Sequence, residues 1–238
     1  MSIRSFLTAG FVAAAVAGSA SASIIVGWTI PTAFPTGTGN VPTGTSYLPP
    51  GPNGAGVANQ GANFLGSELK AVKALAASTY TSPAGNGSQY AFSANNWSPN
   101  DYFQAKFSTL GFTDINLGWD QARSSTGPDE FRVLMSVDGG TSFTELLAYT
   151  VLQSGGGGSP GTWSSTTYNP LYSFTLSLGA AAANQAEVIV RFQNFEAVAS
   201  AATGSNRIDN ILVTQGPVPA PGALALLGLA GLAARRRR

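Results

Sequence analysis

The chain contains no cysteine and no histidine. Without cysteine there is no disulfide, no thiolate metal site and no cysteine nucleophile. Without histidine the commonest general base and metal ligand is missing. A Ser-His-Asp triad and a His-ligated zinc are therefore both excluded within the chain. Charge is scarce as well: 10% of residues are Asp, Glu, Lys or Arg, against roughly 25% in a typical soluble protein. Gly, Ser, Thr, Ala and Asn supply the polar surface instead, as they do in many secreted β-rich proteins. The lack of cysteine does not argue for the cytosol, since many exported bacterial proteins share it.

The net charge of +1 hides an uneven distribution. Arg4 and Arg235 to Arg238 lie at the two ends, leaving seven basic residues against eleven acidic ones and a body near −4. Such a body gives no electrostatic basis for nucleic-acid binding, and no nucleic-acid partner is expected. At 238 residues the chain suits one domain with appendages and can bury a full core.

Both ends read as targeting segments. The start, MSIRSFLTAGFVAAAVAGSASASIIVGW, places Arg4 before an apolar run from Phe6 to Ala17, followed by Ala20-Ser21-Ala22. Small residues at −3 and −1 complete the order of a secretory signal peptide over 1–22, with cleavage after Ala22 and a mature start at Ser23. The end reads VPAPGALALLGLAGLAARRRR. Gly222 to Ala234 is thirteen residues, about 20 Å as a helix, short of the roughly 30 Å hydrocarbon core. Pro219 and Pro221 suit the start of a helix. Arg235, Arg236, Arg237 and Arg238 would stay on the cytoplasmic side and stop translocation. The expectation is a short hydrophobic helix that holds the exported chain transiently at the membrane.

Between these ends, residues 23–216 read as one domain. Residues 32–61 are rich in Pro, Gly, Thr and Asn and predict a long exposed loop. Leu65, Leu69, Val72 and Leu75 fall at helical spacing, which makes Leu65 to Ala77 a candidate for a short helix or, in part, a strand. Beyond Tyr80 the pattern alternates. FTDINLGW puts Ile115, Leu117 and Trp119 on one face, and FRVLMSV does the same for Phe131, Val133, Met135 and Val137. LYSFTLSL sets Tyr172, Phe174, Leu176 and Leu178 against small polar residues. EVIVRFQNF and RIDNILVT supply two more strands, and Asp138-Gly139 signals a hairpin turn. Six or more short strands with Gly-rich turns predict an all-β, antiparallel β-sandwich.

The chemistry on offer is thin. Asp129 and Glu130 are adjacent, so on a strand they point to opposite faces and cannot flank one glycosidic bond. Asp114, Asp120, Glu187, Glu196 and Asp209 remain as partners for a glycan-active enzyme. Asp138 lies in a DGG turn, which supplies few of the six to eight oxygens that calcium takes. Asp209-Asn210 could contribute to a structural calcium site, but no cofactor is called for. Trp119 shares its face with Ile115 and Leu117 and reads as core. Trp97 and Trp163 lie in loop-like sequence and are the candidates for sugar contact.

Three stretches in order, SPAGNGSQYAFSANNWSPNDYFQAKFST, ARSSTGPDEFRVLMSVDGGTSFTEL and NRIDNILV, resemble a bacterial exported jelly-roll family. Its members carry a GNGS…W…GDY…SSTGP…S-DGG…RIDN series, often ahead of a C-terminal sorting tag. The resemblance runs from Leu65 to Thr214 and implies a jelly-roll-like sandwich without a settled activity. This chain has Asn100-Asp101-Tyr102 where the family more often has Gly-Asp-Tyr. Residues 217–238 are similar to a PEP-CTERM sorting signal: a Pro-x-Pro motif (Pro219, Ala220, Pro221), a short apolar segment and an arginine cluster. Ala220 replaces the usual glutamate. The similarity implies handling by the secretion machinery and by an exosortase-type membrane processing enzyme in a Gram-negative bacterium that makes exopolysaccharide. The expected function is that of a non-enzymatic cell-surface or extracellular-matrix protein. The alternative is an exopolysaccharide-binding module, and a glycan-active enzyme ranks third.

Overall fold

A computed structural model describes residues 22–35, 41–73, 77–195 and 201–216. Ala20, the sorting motif at 219–221 and the arginine cluster at 235–238 lie outside the described residues. The chain forms two six-stranded sheets. The first runs in the order β10 (Ser173–Ser177), β7 (Ile115–Arg123), β12 (Ser205–Gln215), β5 (Phe92–Asn95) and β4 (Tyr80–Thr81), with β1 (Ser23–Trp28) also paired to β12. The second runs β2 (Ser46–Tyr47), β3 (Glu68–Val72), β6 (Tyr102–Phe107), β11 (Val188–Asn194), β8 (Glu130–Ser136) and β9 (Thr144–Thr150). The ladders between these strands are antiparallel. The all-β sandwich expected from the alternating segments is the fold observed.

Alternation places the core between the sheets. Ile115, Leu117 and Trp119 of β7 are buried, as are Phe131 and Val133 of β8. Trp119 stacks on Phe174 of its own sheet at 5.2 Å and meets Phe192 of the other at 5.1 Å. Phe92 and Phe103 make a second contact across the layers at 5.1 Å. Aromatic pairs at such distances add to the area they bury.

Strand β12 is the spine of the first sheet. One edge pairs with β7, while the other pairs with β5 over Ser205–Ile208 and then with β1 over Ile211–Gln215. A bulge falls between Asp209 and Leu212, where Asn210 takes a positive φ of 47°. Asparagine tolerates that left-handed conformation better than most residues.

Several expectations are corrected. The helical spacing from Leu65 gives way to β3, in which Leu69 and Ala71 point inward. Pairing with β6 satisfies this backbone, and Leu65 stands 77% exposed outside the strand. Residues 74–76 lie outside the described residues. The Pro-rich segment contributes a short strand, β2, which pairs with β3, and it is not wholly exposed. Phe34 is buried, packing near Tyr47 and Phe92, and Ala58 is buried as well. Tyr172 leaves the β10 row for a 3₁₀ turn, Pro170–Tyr172, and packs edge-on against Trp163. Val137 lies beyond β8 and is exposed. Among the described residues no helix is long and apolar enough to cross a membrane.

Candidate functional site

Two motifs of the series, GNGS and RIDN, meet on the outer face of the first sheet. Register sets Asp120 of β7 beside Asp209 of β12. Loops on either side of Asn86 and Trp163 lie across them and bury both carboxylates. The Asn86 amide donates to Asp120 Oδ2 at 3.1 Å, and its backbone N–H donates to Asp209 Oδ2 at 2.9 Å. Asn210 Nδ2 also donates to Asp120 Oδ2 at 2.7 Å, and the hydroxyls of Ser88 and Ser173 donate to Asp209 and Asp120 respectively. Gly85 leaves the space that Ser88 Oγ and Asp209 Oδ2 occupy, so a side chain there would collide with both. GNGS and RIDN, joined by bonds between residues 121 to 124 positions apart, are thus one hydrogen-bonded lock.

Burial pushes Asp209 up to about 7, against the bonds from Ser88 and Asn86. Burial also raises Asp120, opposed by its bonds from Asn210, Ser173 and Asn86. Asp209 Oδ1 is buried without a hydrogen-bond partner. Asp120 is ringed by amide and hydroxyl donors, which suits a carboxylate and not a cation shell. Among the described residues no three acidic side chains group as a metal site. The lock is sealed from solvent, so two neighbouring carboxylates are present without access for a substrate.

Trp97 belongs to a second buried cluster, around Lys73. The Lys73 ammonium lies 3.1 Å from the centroid of the Trp97 ring and 3.5 Å from Asp101 Oδ2. Burial lowers Lys73 to about 7, against the attraction of Asp101. The Trp97 indole N–H donates to Ala94 O at 2.8 Å, and its ring meets Phe103 and Phe131. At 3% exposure Trp97 offers no ring face to a sugar. The Asn100-Asp101-Tyr102 motif serves this cluster, since Asp101 is the partner of Lys73. Asn100 adopts a φ of 71°, a left-handed conformation that glycine takes freely and asparagine tolerates.

Trp163 is half-buried. Its N–H donates to Ala84 O at 2.7 Å, and the Arg207 guanidinium lies 5.6 Å from its ring. It clasps the covering loop. Of the remaining carboxylates, Asp129 pairs with Arg123 at 3.4 Å and Glu187 with Lys106 at 3.9 Å. Asp138 caps its own hairpin, and bonds from Ser142 and Ser136 hold its carboxyl well below the usual range. Glu196 lies outside the described residues.

The outer face of the second sheet mixes half-buried charged side chains with buried polar ones, among them Gln104 and Gln193. Three cations there have carboxylate partners: Lys70 with Glu68 at 2.9 Å, Lys106 with Glu187 and Arg132 with Glu145 at 3.6 Å. Arg191, in the middle of β11, is held differently. Its guanidinium lies 4.3 Å from the Tyr102 ring and 4.0 Å from the Phe143 ring, and its Nε donates to Gln104 Oε1 at 2.8 Å. Gln104 and Leu134 are its register partners on β6 and β8. Phe143 reaches it from the hairpin loop that the DGG turn begins. Sequence reasoning did not single out Arg191. The alternation of Arg191 with buried Val190 and Phe192 was the one signal that it faces outward.

The chain matches no protein-family model and no curated protein. Among solved structures it is similar to the K1 cleaved adhesin domain of Lys-gingipain from Porphyromonas gingivalis W83, at 14% identity and a TM-score of 0.43. That match covers 81% of this chain and 98% of that one. The K3 adhesin domain of the same protein matches at 18% identity and a TM-score of 0.38, over 56% of this chain and 79% of that one. The N-terminal cellulose-binding domain of Cellulomonas fimi β-1,4-glucanase C matches at 13% identity and a TM-score of 0.30, over 75% of this chain and 99% of that one. The likeness is one of all-β layout and carries no ligand or activity across.

Proposed function

We propose that the chain is an exported, non-enzymatic component of the cell surface or extracellular matrix of a Gram-negative bacterium. In this reading residues 1–22 are removed by the secretion machinery. The tail over 217–238 rests transiently in the membrane, and an exosortase-type enzyme recognises it at Pro219-Ala220-Pro221. The observation that carries the reading is the pairing of Ser23 with Gln215. Cleavage after Ala22 leaves β1 whole, and the tail departs one residue beyond β12, beside the new N-terminus. A membrane-held tail would then grip the sandwich by a single corner and leave the outer face of the second sheet free to meet matrix polymer.

Deleting Val218 to Arg238 should move the protein from its sorted location to bulk secretion, as followed by fractionation and immunoblotting. Unchanged localisation would overturn the sorting route.

The second reading, an exopolysaccharide-binding module, would use the outer face of the second sheet, where Tyr102 and Phe143 flank Arg191. Catalysis has less support: Asp120 and Asp209 are sealed, and Asp129 is tied to Arg123.

A further inference from the structure

We propose that Lys73 and Asp101 condense into an intramolecular isopeptide bond, a covalent tie between β3 and β6 made with loss of one water. The inference does not depend on the fate of the two ends of the chain.

Register brings the two groups together. Val72 of β3 faces Tyr102 of β6, so Lys73 and Asp101, each one position further, are the next cross-strand pair. Both follow the inward alternation of Ala71 and Phe103, and their side chains are 1% and 0% exposed. Opposed residues of antiparallel strands have Cβ atoms roughly 5 Å apart, a gap that a lysine joined to an aspartate covers easily. Lys73 Nζ lies 3.5 Å from Asp101 Oδ2, a separation typical of reacting groups poised for attack. Among the described residues that nitrogen takes no hydrogen bond. The Trp97 ring covers it at 3.1 Å, and Phe103 and Phe131 pack against Trp97 in turn.

This setting serves condensation better than it serves an ion pair. A buried charge is costly unless hydrogen bonds surround it. Here the ammonium meets an indole face and a single carboxylate, whereas an amide between the same atoms carries no charge. Burial lowers Lys73 to about 7, so the neutral, nucleophilic amine is populated near neutral pH.

The chemistry balances within the pair. The ammonium passes one proton to the Asp101 carboxylate, and the freed electron pair of Nζ attacks Cγ. The Ser98 N–H, which donates to Oδ2 at 2.7 Å, stabilises the oxyanion that forms there. A second proton moves from Nζ to the other carboxyl oxygen, which leaves as water while the Nζ–Cγ amide closes. The third proton stays on the amide nitrogen. The bond closes a loop over residues 73–101 that holds β4, β5 and GNGS, in a chain with no cysteine for a disulfide. A cross-link of this kind stabilises by constraining the unfolded chain. The open pair titrates and the amide does not, so an alkaline limb of stability from Lys73 belongs to the open pair alone.

The test is a tryptic digest of the full-length protein, purified in its native state, then denatured and read by tandem mass spectrometry. Trypsin cuts after Lys70, Lys73 and Lys106, with no other basic residue between them. The expected product is one peptide, 71–106, uncut at Lys73 and lighter by one water, with fragment breaks only outside 73–101. In Lys73→Arg, which cannot form this amide, peptide 74–106 should appear at full mass. A wild-type digest that gives 74–106 at full mass would overturn the proposal. Loss of water with Lys73 still cut would do the same, since it marks a backbone imide at Asp101. A cross-link made with loss of ammonia would also overturn it, because the acceptor would then be Asn194, whose N–H donates to Asp101 O at 2.9 Å. The wild-type result stands by itself if Lys73→Arg folds poorly.

Discussion

The first sheet turns its outer face toward the loops around Asn86 and Trp163, whereas the second turns its outer face toward solvent. Both faces carry charged side chains, but the rules that govern them differ. Under the loops, a polar atom without a partner loses its hydration and is costly. Asp120 therefore collects Asn86, Asn210 and Ser173, and those residues depend on one another. On the outer face of the second sheet Arg191 is half-buried and is held by Gln104 and the rings of Tyr102 and Phe143 instead of by a carboxylate. The buried carboxylates are committed to holding the fold.

This contrast can be broken by measurement. The largest effect should come from Asn86→Ala, which strips Asp120 of a donor and the covering loop of its anchor to Asn169. Urea denaturation should show a loss of about 3–5 kcal/mol, the range for breaking a buried charged network. A loss below about 1 kcal/mol would mean that the covered face is not a lock.

A smaller effect should follow pH. The folded pKa of Asp209, about 7, lies above the roughly 3.9 of an unfolded aspartate. The folded state therefore holds this proton more tightly, and its contribution is fully present below about pH 4 and lost as pH rises to about 7. Lys73 runs in the opposite sense: its folded value of about 7 lies below the unfolded value of about 10.4, so stability is regained between those limits. The thermal midpoint should dip by several degrees near neutrality. Asp209→Asn should remove the acid limb and Lys73→Met the alkaline one. A profile that is flat from pH 4 to 10 would contradict both.

The smallest effect should be that of Arg191→Gln on stability, about 1 kcal/mol, because Arg191 is half-buried and its Nε–H is the partner of the buried Gln104. A loss of several kcal/mol in the same denaturation series would make Arg191 a structural clamp and erase the difference between the faces.

Legibility from sequence followed the same division. The β7 and β8 segments were readable because one side of each strand meets the core and the hydrophobic period is two. The Leu65 region was not, since its helical spacing was overruled by pairing with β6, a contact made with residues 30 to 38 positions away. Trp97 looked like a loop residue, and its buried place depends on Lys73 and Asp101 coming together from separate segments. Arg191 was one arginine in a strand until Tyr102 and Phe143 closed on it from two other parts of the chain.

By itself the sequence determined the all-β class, the alternating core strands, and the exclusion of cysteine and histidine chemistry. These depend on composition and on neighbours a few residues apart. The tertiary structure alone decided which polar residues are sealed and which are offered. Burial and pairing of a charge are set by segments distant in the chain, and GNGS meeting RIDN under a loop cannot be read from either motif.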